Sequence, residues 1–183
     1  MITNPQIRQP LDGLIVSLDW HQVLDTIRTK YKTIRTEEWQ WYYLLDPVKH
    51  HLSEIRRLAE SKGDSVKIIV LSYTHSPAFQ DKVLGLIPYE SNFLDLAVTT
   101  RERTGLGGKL WTLKQICSAT SSIWHADDNT SICREIVQDQ EERIRAAGIK
   151  VPSHWREQRE LHIFWYRNIL EALDLLSKVW KDA

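Results

Sequence analysis

Residues 66–72 read VKIIVLS, a β-branched and nearly continuous apolar run that stops at a serine. A strand that is half solvated alternates apolar with polar residues, whereas an unbroken run of this length fits a strand covered on both faces. Three further stretches share the pattern: LIVSLD at Leu14–Asp19, LDLAVTT at Leu94–Thr100 and SIWHADD at Ser122–Asp128. GIKV at Gly148–Val151 is a shorter fifth candidate.

Helices are expected between them. Asp46-Pro47 reads as an N-cap followed by proline at the first helical position, and Val48, Leu52, Ile55 and Leu58 then recur on one helical face up to Gly63. Ser76-Pro77 repeats the start signal ahead of Val83 and Leu84. Lys109–Ala119 carries Leu110, Leu113 and Ile116 at helical spacing. Ile132, Ile136 and Ile144 mark a further helix closing near Gly148, and Phe164–Lys181 reads as the last helix, with Ile169, Leu173, Leu176 and Trp180 on one side. Strand-then-helix alternation implies right-handed crossovers and a mainly parallel sheet between two helical layers. The expected fold is therefore a Rossmann-like three-layer α/β/α sandwich, one domain over residues 1–183.

Composition agrees. The 183 residues are 42% apolar and 26% charged, with 24 basic against 24 acidic side chains, a globular balance without the signature of disorder. Zero formal charge gives no global pull toward nucleic acid or an anionic membrane, although a local nucleic-acid patch stays open. Cys117 and Cys133 make neither a disulfide framework nor a structural zinc site. No apolar run approaches a membrane span, and MITNPQIRQP lacks the regions of a signal peptide, so the expected location is cytoplasmic. Eight Trp is an unusual number, read mainly as packing.

In parallel sheets of this kind ligands sit outside the carboxyl ends of the strands. Those ends carry Asp19, Ser72 and Asp127-Asp128, with Lys109 opening the helix before the fourth strand. Converging carboxylates repel, and a divalent cation relieves them; an all-oxygen site suits Mg²⁺, which often bridges to phosphate. A serine hydroxyl and a lysine ammonium would serve phosphate oxygens, and a carboxylate can itself attack phosphorus. The chemistry expected is Mg²⁺-dependent phosphoryl transfer.

The ordered set resembles the haloacid dehalogenase-like (HAD) hydrolase superfamily, over roughly Leu14–Val151. Its first motif, an apolar strand followed by DxDx[TV], is similar to LIVSLDWHQVLD; its second, a strand ending in Ser or Thr, to KIIVLS. GGKLWTLKQI offers the third-motif lysine as Lys109, with Lys114 as the alternative, and SIWHADDN resembles the acidic fourth motif. Receiver domains place their acidic pair after the first strand, and PIN-like nucleases need later acids that find no match here. The resemblance implies a phosphatase acting on a small or macromolecular phosphate ester. Asp19 would be nucleophile and Mg²⁺ ligand, Ser72 and Lys109 would hold the phosphoryl group, and the His21 carbonyl with Asp127 or Asp128 would complete the metal ligands.

The departures lie in the first motif. His21 replaces the acid/base aspartate, Gln22 the common glycine and Val23 the common threonine. Imidazole can do acid–base work near neutral pH, but the substitution also fits an alternative: a HAD-fold protein without turnover that binds a phosphorylated ligand or partner. Thr26–Leu45 stands where the superfamily inserts cap domains. It is too short for a full cap, and its period-2 spacing suggests a hairpin or flap. Its Arg28, Lys30, Lys32 and Arg35 could meet phosphate, and Trp39, Trp41, Tyr42 and Tyr43 could stack on a ring; a charged solvated face backed by a packed aromatic one is the alternative.

Overall fold

The computed structural model describes residues 9–28, 31–36, 42–149 and 163–182. Six parallel strands form one sheet: β1 (Leu14–Leu18), β4 (Val66–Tyr73), β5 (Leu96–Thr100), β6 (Ser122–Asp127), β7 (Ile144–Ile149) and β8 (Phe164–Tyr166), in the order β5-β4-β1-β6-β7-β8. Counted along the chain these six stand in the order 3-2-1-4-5-6, the doubly wound Rossmann arrangement. The order reverses between β1 and β6, and a crevice opens there at the strand ends.

Two apolar layers enclose the sheet. Val16, Leu18, Ile68 and Val70 face α1 (Asp46–Ser61) and α6 (Ile169–Lys181), with α2 (Pro77–Leu84) and α3 (Leu86–Glu90) on the same side. Ile15, Ile69, Leu71 and Ile123 face α4 (Lys109–Ile116) and α5 (Thr130–Gln138). Both faces are covered, which is why VKIIVLS is apolar at successive positions rather than at alternate ones. The three-layer expectation holds. Among the described residues no helix is long and apolar enough to cross a membrane.

The flap is an extended hairpin as the spacing indicated. Here β2 (Thr26–Arg28) pairs antiparallel with β3 (Thr33–Arg35), with Ile27 buried and opposite Ile34. Arg28, Lys32 and Arg35 are exposed; Lys30, Trp39 and Trp41 lie outside the described residues. Tyr42 is core, its ring 4.9 Å from Trp20 and 5.5 Å from Phe79, so it packs rather than offering a stacking surface. Tyr43 is partly exposed. The five described tryptophans, Trp20, Trp111, Trp124, Trp165 and Trp180, are all buried or half-buried, as the packing reading requires.

Several expectations need correction. Ile144 does not continue the helix of Ile132 and Ile136; it opens β7, which runs Ile144–Ile149 rather than Gly148–Val151, and Val151 lies outside the described residues. Gln140 takes a left-handed φ of 58° and ends the helical path, without a glycine or proline to announce it. Phe164 belongs to β8, because the Asn168 side chain accepts from the Glu171 N–H and starts α6 only at Ile169. Helix α4 stops at Ile116, not Ala119, and strand β5 starts at Leu96, not Leu94. Leu45, not Asp46, occupies the N-cap position of α1. Ser76 does cap α2, accepting from the Phe79 N–H. At Gly148 a Cβ would fall 2.3 Å from the Trp165 ring, so only glycine lets that indole lie on β7.

Candidate active site

Asp19 follows the last residue of β1, where the chain leaves the sheet but its N–H still donates to the Ala126 carbonyl at 2.9 Å. Asp127 ends β6 beside it, and Ser72 lies near the end of β4 on the other side of β1. Lys109 is the first residue of α4, and the close approach of Gly108 to the Thr104 backbone brings that helix start down onto the sheet: a Cβ there would meet backbone atoms at 2.6–2.8 Å. Asp19, His21, Ser72, Lys109, Asp127 and Asp128 all line one cavity of about 340 Å³. The strand-end residues, His21 and Lys109 thus reach the same crevice. Lys114 does not; its ammonium pairs with Asp139 at 2.7 Å and Glu141 at 3.2 Å, which leaves Lys109 as the lysine of the site.

The centre is a buried ionic trio. Lys109 Nζ stands 2.7 Å from Asp19 Oδ1 and 2.6 Å from Asp127 Oδ2, with the lysine and both acids buried. Burial alone would push the lysine pKa down; the two carboxylates outweigh it and hold the ammonium above its ordinary value. Burial raises the Asp19 carboxyl, and Lys109 opposes this only in part while Asp127 adds repulsion. Asp127 is driven the other way: against its burial, Lys109 and then His125 keep it ionised well below the usual carboxylate range. One ammonium is thus shared unequally between two acids.

Asp128, half-buried, adds a third carboxylate, and ligand oxygens of Asp19, Asp127 and Asp128 lie within 4.8 Å of one another. Three carboxylates against one ammonium leave an excess of two negative charges, and the donor atoms are all oxygen. The cluster could hold a metal ion, and its charge and donor type fit a hard divalent cation. Ser72 Oγ, on a residue 1% exposed, has no hydrogen-bond partner, an orphaned hydroxyl in the lining of the cavity. Asn129 caps α5 through its side chain, accepting from Ser131 N and Ile132 N, and its own N–H donates to Asp127 Oδ1 at 2.8 Å.

His21 sits in a wide turn, Trp20–Leu24, closed by the Asp25 N–H on the Trp20 carbonyl. Its ring stacks on Phe79 at 4.3 Å and its Nδ1 lies 3.0 Å from Asp25 Oδ2, with half of the side chain exposed. Gln22 adopts a left-handed φ of 59°, a conformation that favours glycine. Tyr73 also lines the cavity, with Arg103 4.7 Å above its ring; His75 packs edge-on to Tyr73 and is exposed.

Sequence reasoning missed three residues. Arg103 lines the cavity from an exposed loop whose composition gave no signal. His125 and Ser17 are fully buried beneath the trio: His125 Nε2 is 2.9 Å from Asp127 Oδ2 and Nδ1 is 2.9 Å from Ser17 Oγ. A signal for both existed, since each is a polar residue in an apolar strand, two positions before a strand-end aspartate and hence on the same face. Comparison with protein-family models, with curated proteins and with solved structures found no match for the chain.

Proposed function

We propose that the protein is a Mg²⁺-dependent, HAD-like phosphatase that hydrolyses a phosphate ester through an aspartyl-phosphate on Asp19. The observation that carries this reading is the convergence of Asp19, Ser72, Lys109, Asp127 and Asp128 around one cavity at the point where the strand order reverses. Asp19, Asp127 and Asp128 would hold Mg²⁺, which when bound offsets the excess negative charge and screens the approach of a phosphate dianion to a carboxylate.

The chain's own groups then divide the work. The Asp19 carboxylate attacks phosphorus and the ester P–O bond breaks, leaving an alkoxide that takes up a proton. Ser72 Oγ donates to a phosphoryl oxygen, which ends its isolation, and Lys109 balances charge on Asp19 and the phosphoryl group. Water next attacks the acyl-phosphate phosphorus and loses a proton; inorganic phosphate leaves and the Asp19 carboxylate is restored. His21 is the candidate for both proton transfers. The cavity, about 340 Å³ and open at one side, admits the phosphoryl end of a substrate whose remainder stays outside, small or macromolecular.

A second reading, a non-hydrolysing protein that binds a phosphorylated ligand, is favoured by one observation: the His21 ring rests on Phe79 and is held by Asp25. The two readings part in a single assay. Purified protein with Mg²⁺ is offered a panel of phosphate monoesters beside Asp19→Asn. Phosphate release that the substitution abolishes supports the phosphatase; ligand binding without release from any ester supports the second reading.

A further inference from the structure

The Asp127 carboxylate is fully buried and accepts three hydrogen bonds: Oδ2 from Lys109 Nζ at 2.6 Å and from His125 Nε2 at 2.9 Å, and Oδ1 from Asn129 N at 2.8 Å. A carboxylate offers about four lone-pair sites, two on each oxygen. Oδ2 has spent both of its sites, whereas Oδ1 keeps one. His125 is itself fixed from behind. Ser17 stands directly opposite it in the β1–β6 register, and its hydroxyl meets Nδ1 at 2.9 Å. A carboxylate can only accept, so Nε2 carries the proton in its bond to Asp127, and the Ser17 hydroxyl holds the ring from the Nδ1 side.

We infer that His125, held by Ser17, is a positioning residue that locks Asp127 so that Oδ1 alone faces the cation, making Asp127 a one-oxygen ligand. This rests on the metal-site reading above and deepens it. Ring N–H groups that orient ligating groups from behind commonly set metal affinity, and removing one costs about 10- to 100-fold. The fit is particular to this geometry: without the His125 N–H, only Lys109 on Oδ2 and the Asn129 N–H on Oδ1 resist rotation of the Asp127 carboxylate about χ2 and exchange of its oxygens. A histidine serving only to fill the core would leave metal affinity untouched when replaced by an apolar side chain of similar size.

The test is calorimetric titration of Mg²⁺ into wild type, His125→Leu, His125→Gln and Ser17→Ala, each checked for folding by circular dichroism and melting. Folded His125→Leu should bind Mg²⁺ about 10- to 100-fold more weakly. His125→Gln, whose amide can still donate to Oδ2, should recover most of the loss, and Ser17→Ala should fall between. An affinity for His125→Leu within about twofold of wild type overturns the inference and leaves the metal site standing. Wild type that binds no Mg²⁺ at millimolar concentration overturns the metal site and the inference together. Long-range ¹⁵N–¹H spectra of wild type provide a readout that needs no variant: a proton on Nε2 is expected, and protonation on Nδ1 alone overturns the inference.

Discussion

Replacing Lys109 by methionine removes one ammonium from between two buried carboxylates and changes little in volume. Each N–O separation, 2.6 and 2.7 Å, corresponds to about 6 kcal/mol of attraction at an effective dielectric of about 20. That sum greatly exceeds the net effect, because the variant no longer buries an ammonium, and a burial penalty of several kcal/mol disappears with it. Breaking a buried pair from one side costs about 3–5 kcal/mol. Asp19, already raised toward the protonated form by burial, can take up a proton in the variant, which places the loss near the lower figure. For a chain of this length about 3 kcal/mol corresponds to a melting temperature lower by about 6–12 °C. Differential scanning calorimetry at neutral pH with a chelator present measures it. Asp19→Asn in the Lys109→Met background should return part of the loss, since one of the two stranded charges is gone. A Lys109→Met protein that melts at or above the wild-type temperature under these conditions refutes the shared-ammonium trio.

Ser72→Ala should separate stability from function: a buried hydroxyl without a partner is a cost, so melting should hold or rise slightly while the affinity for inorganic phosphate in the presence of Mg²⁺ falls. A drop in melting temperature with unchanged phosphate affinity would contradict this. At His21, alanine should lower turnover of a simple ester about 100-fold or more, and aspartate should retain or increase it; equal rates for wild type and His21→Ala would exclude the imidazole as the acid. Both cysteines should resist iodoacetamide in the native protein, since burial raises the Cys117 thiol to about 11 and the Cys133 thiol further. Because these folded values exceed the unfolded one, the thiols' contribution is intact below the unfolded pKa near 8.5 and is lost as pH rises through the folded values. Quantitative alkylation of folded protein at neutral pH would be inconsistent with their packing.

The strand ends were legible because buried parallel strands must be apolar and a polar residue at their close stands out: Asp19, Ser72 and Asp127 were found that way, and Lys109 as the residue that opens the helix before the fourth strand. What sequence could not show was governed by backbone or by distance. Gln140 breaks a helix by taking a left-handed φ with an ordinary side chain, so Ile144, in phase with Ile136, read as the same helix. Phe164 was absorbed into the last helix although Asn168 and Glu171 stand at cap spacing, because three apolar residues are too few to register as a strand. Arg103 reaches the cavity across a loop of tertiary origin, and nothing local distinguishes it from other surface arginines. Ser17 and His125 were within reach of strand periodicity; their polarity on a buried face called for a partner, and each is the other's.

The central place of β1 also fixes when the site can come into being. Leu14 pairs with Val66 on one side and Ser122 on the other, 52 and 108 residues further along the chain. Neither closure is local, and parallel pairing offers no hairpin to start from, so the sheet belongs to the slow-folding topologies. The longer closure costs only about 0.6 kcal/mol more than the shorter; its delay during synthesis comes from waiting for β6 to emerge. Until then one edge of β1 is unpaired, Asp19 has no Asp127 beside it, and the two acids have no common lysine to share. Nascent chains halted before Ser122 should therefore display an adhesive strand edge and no cavity, a vulnerable interval that ends when β6 docks.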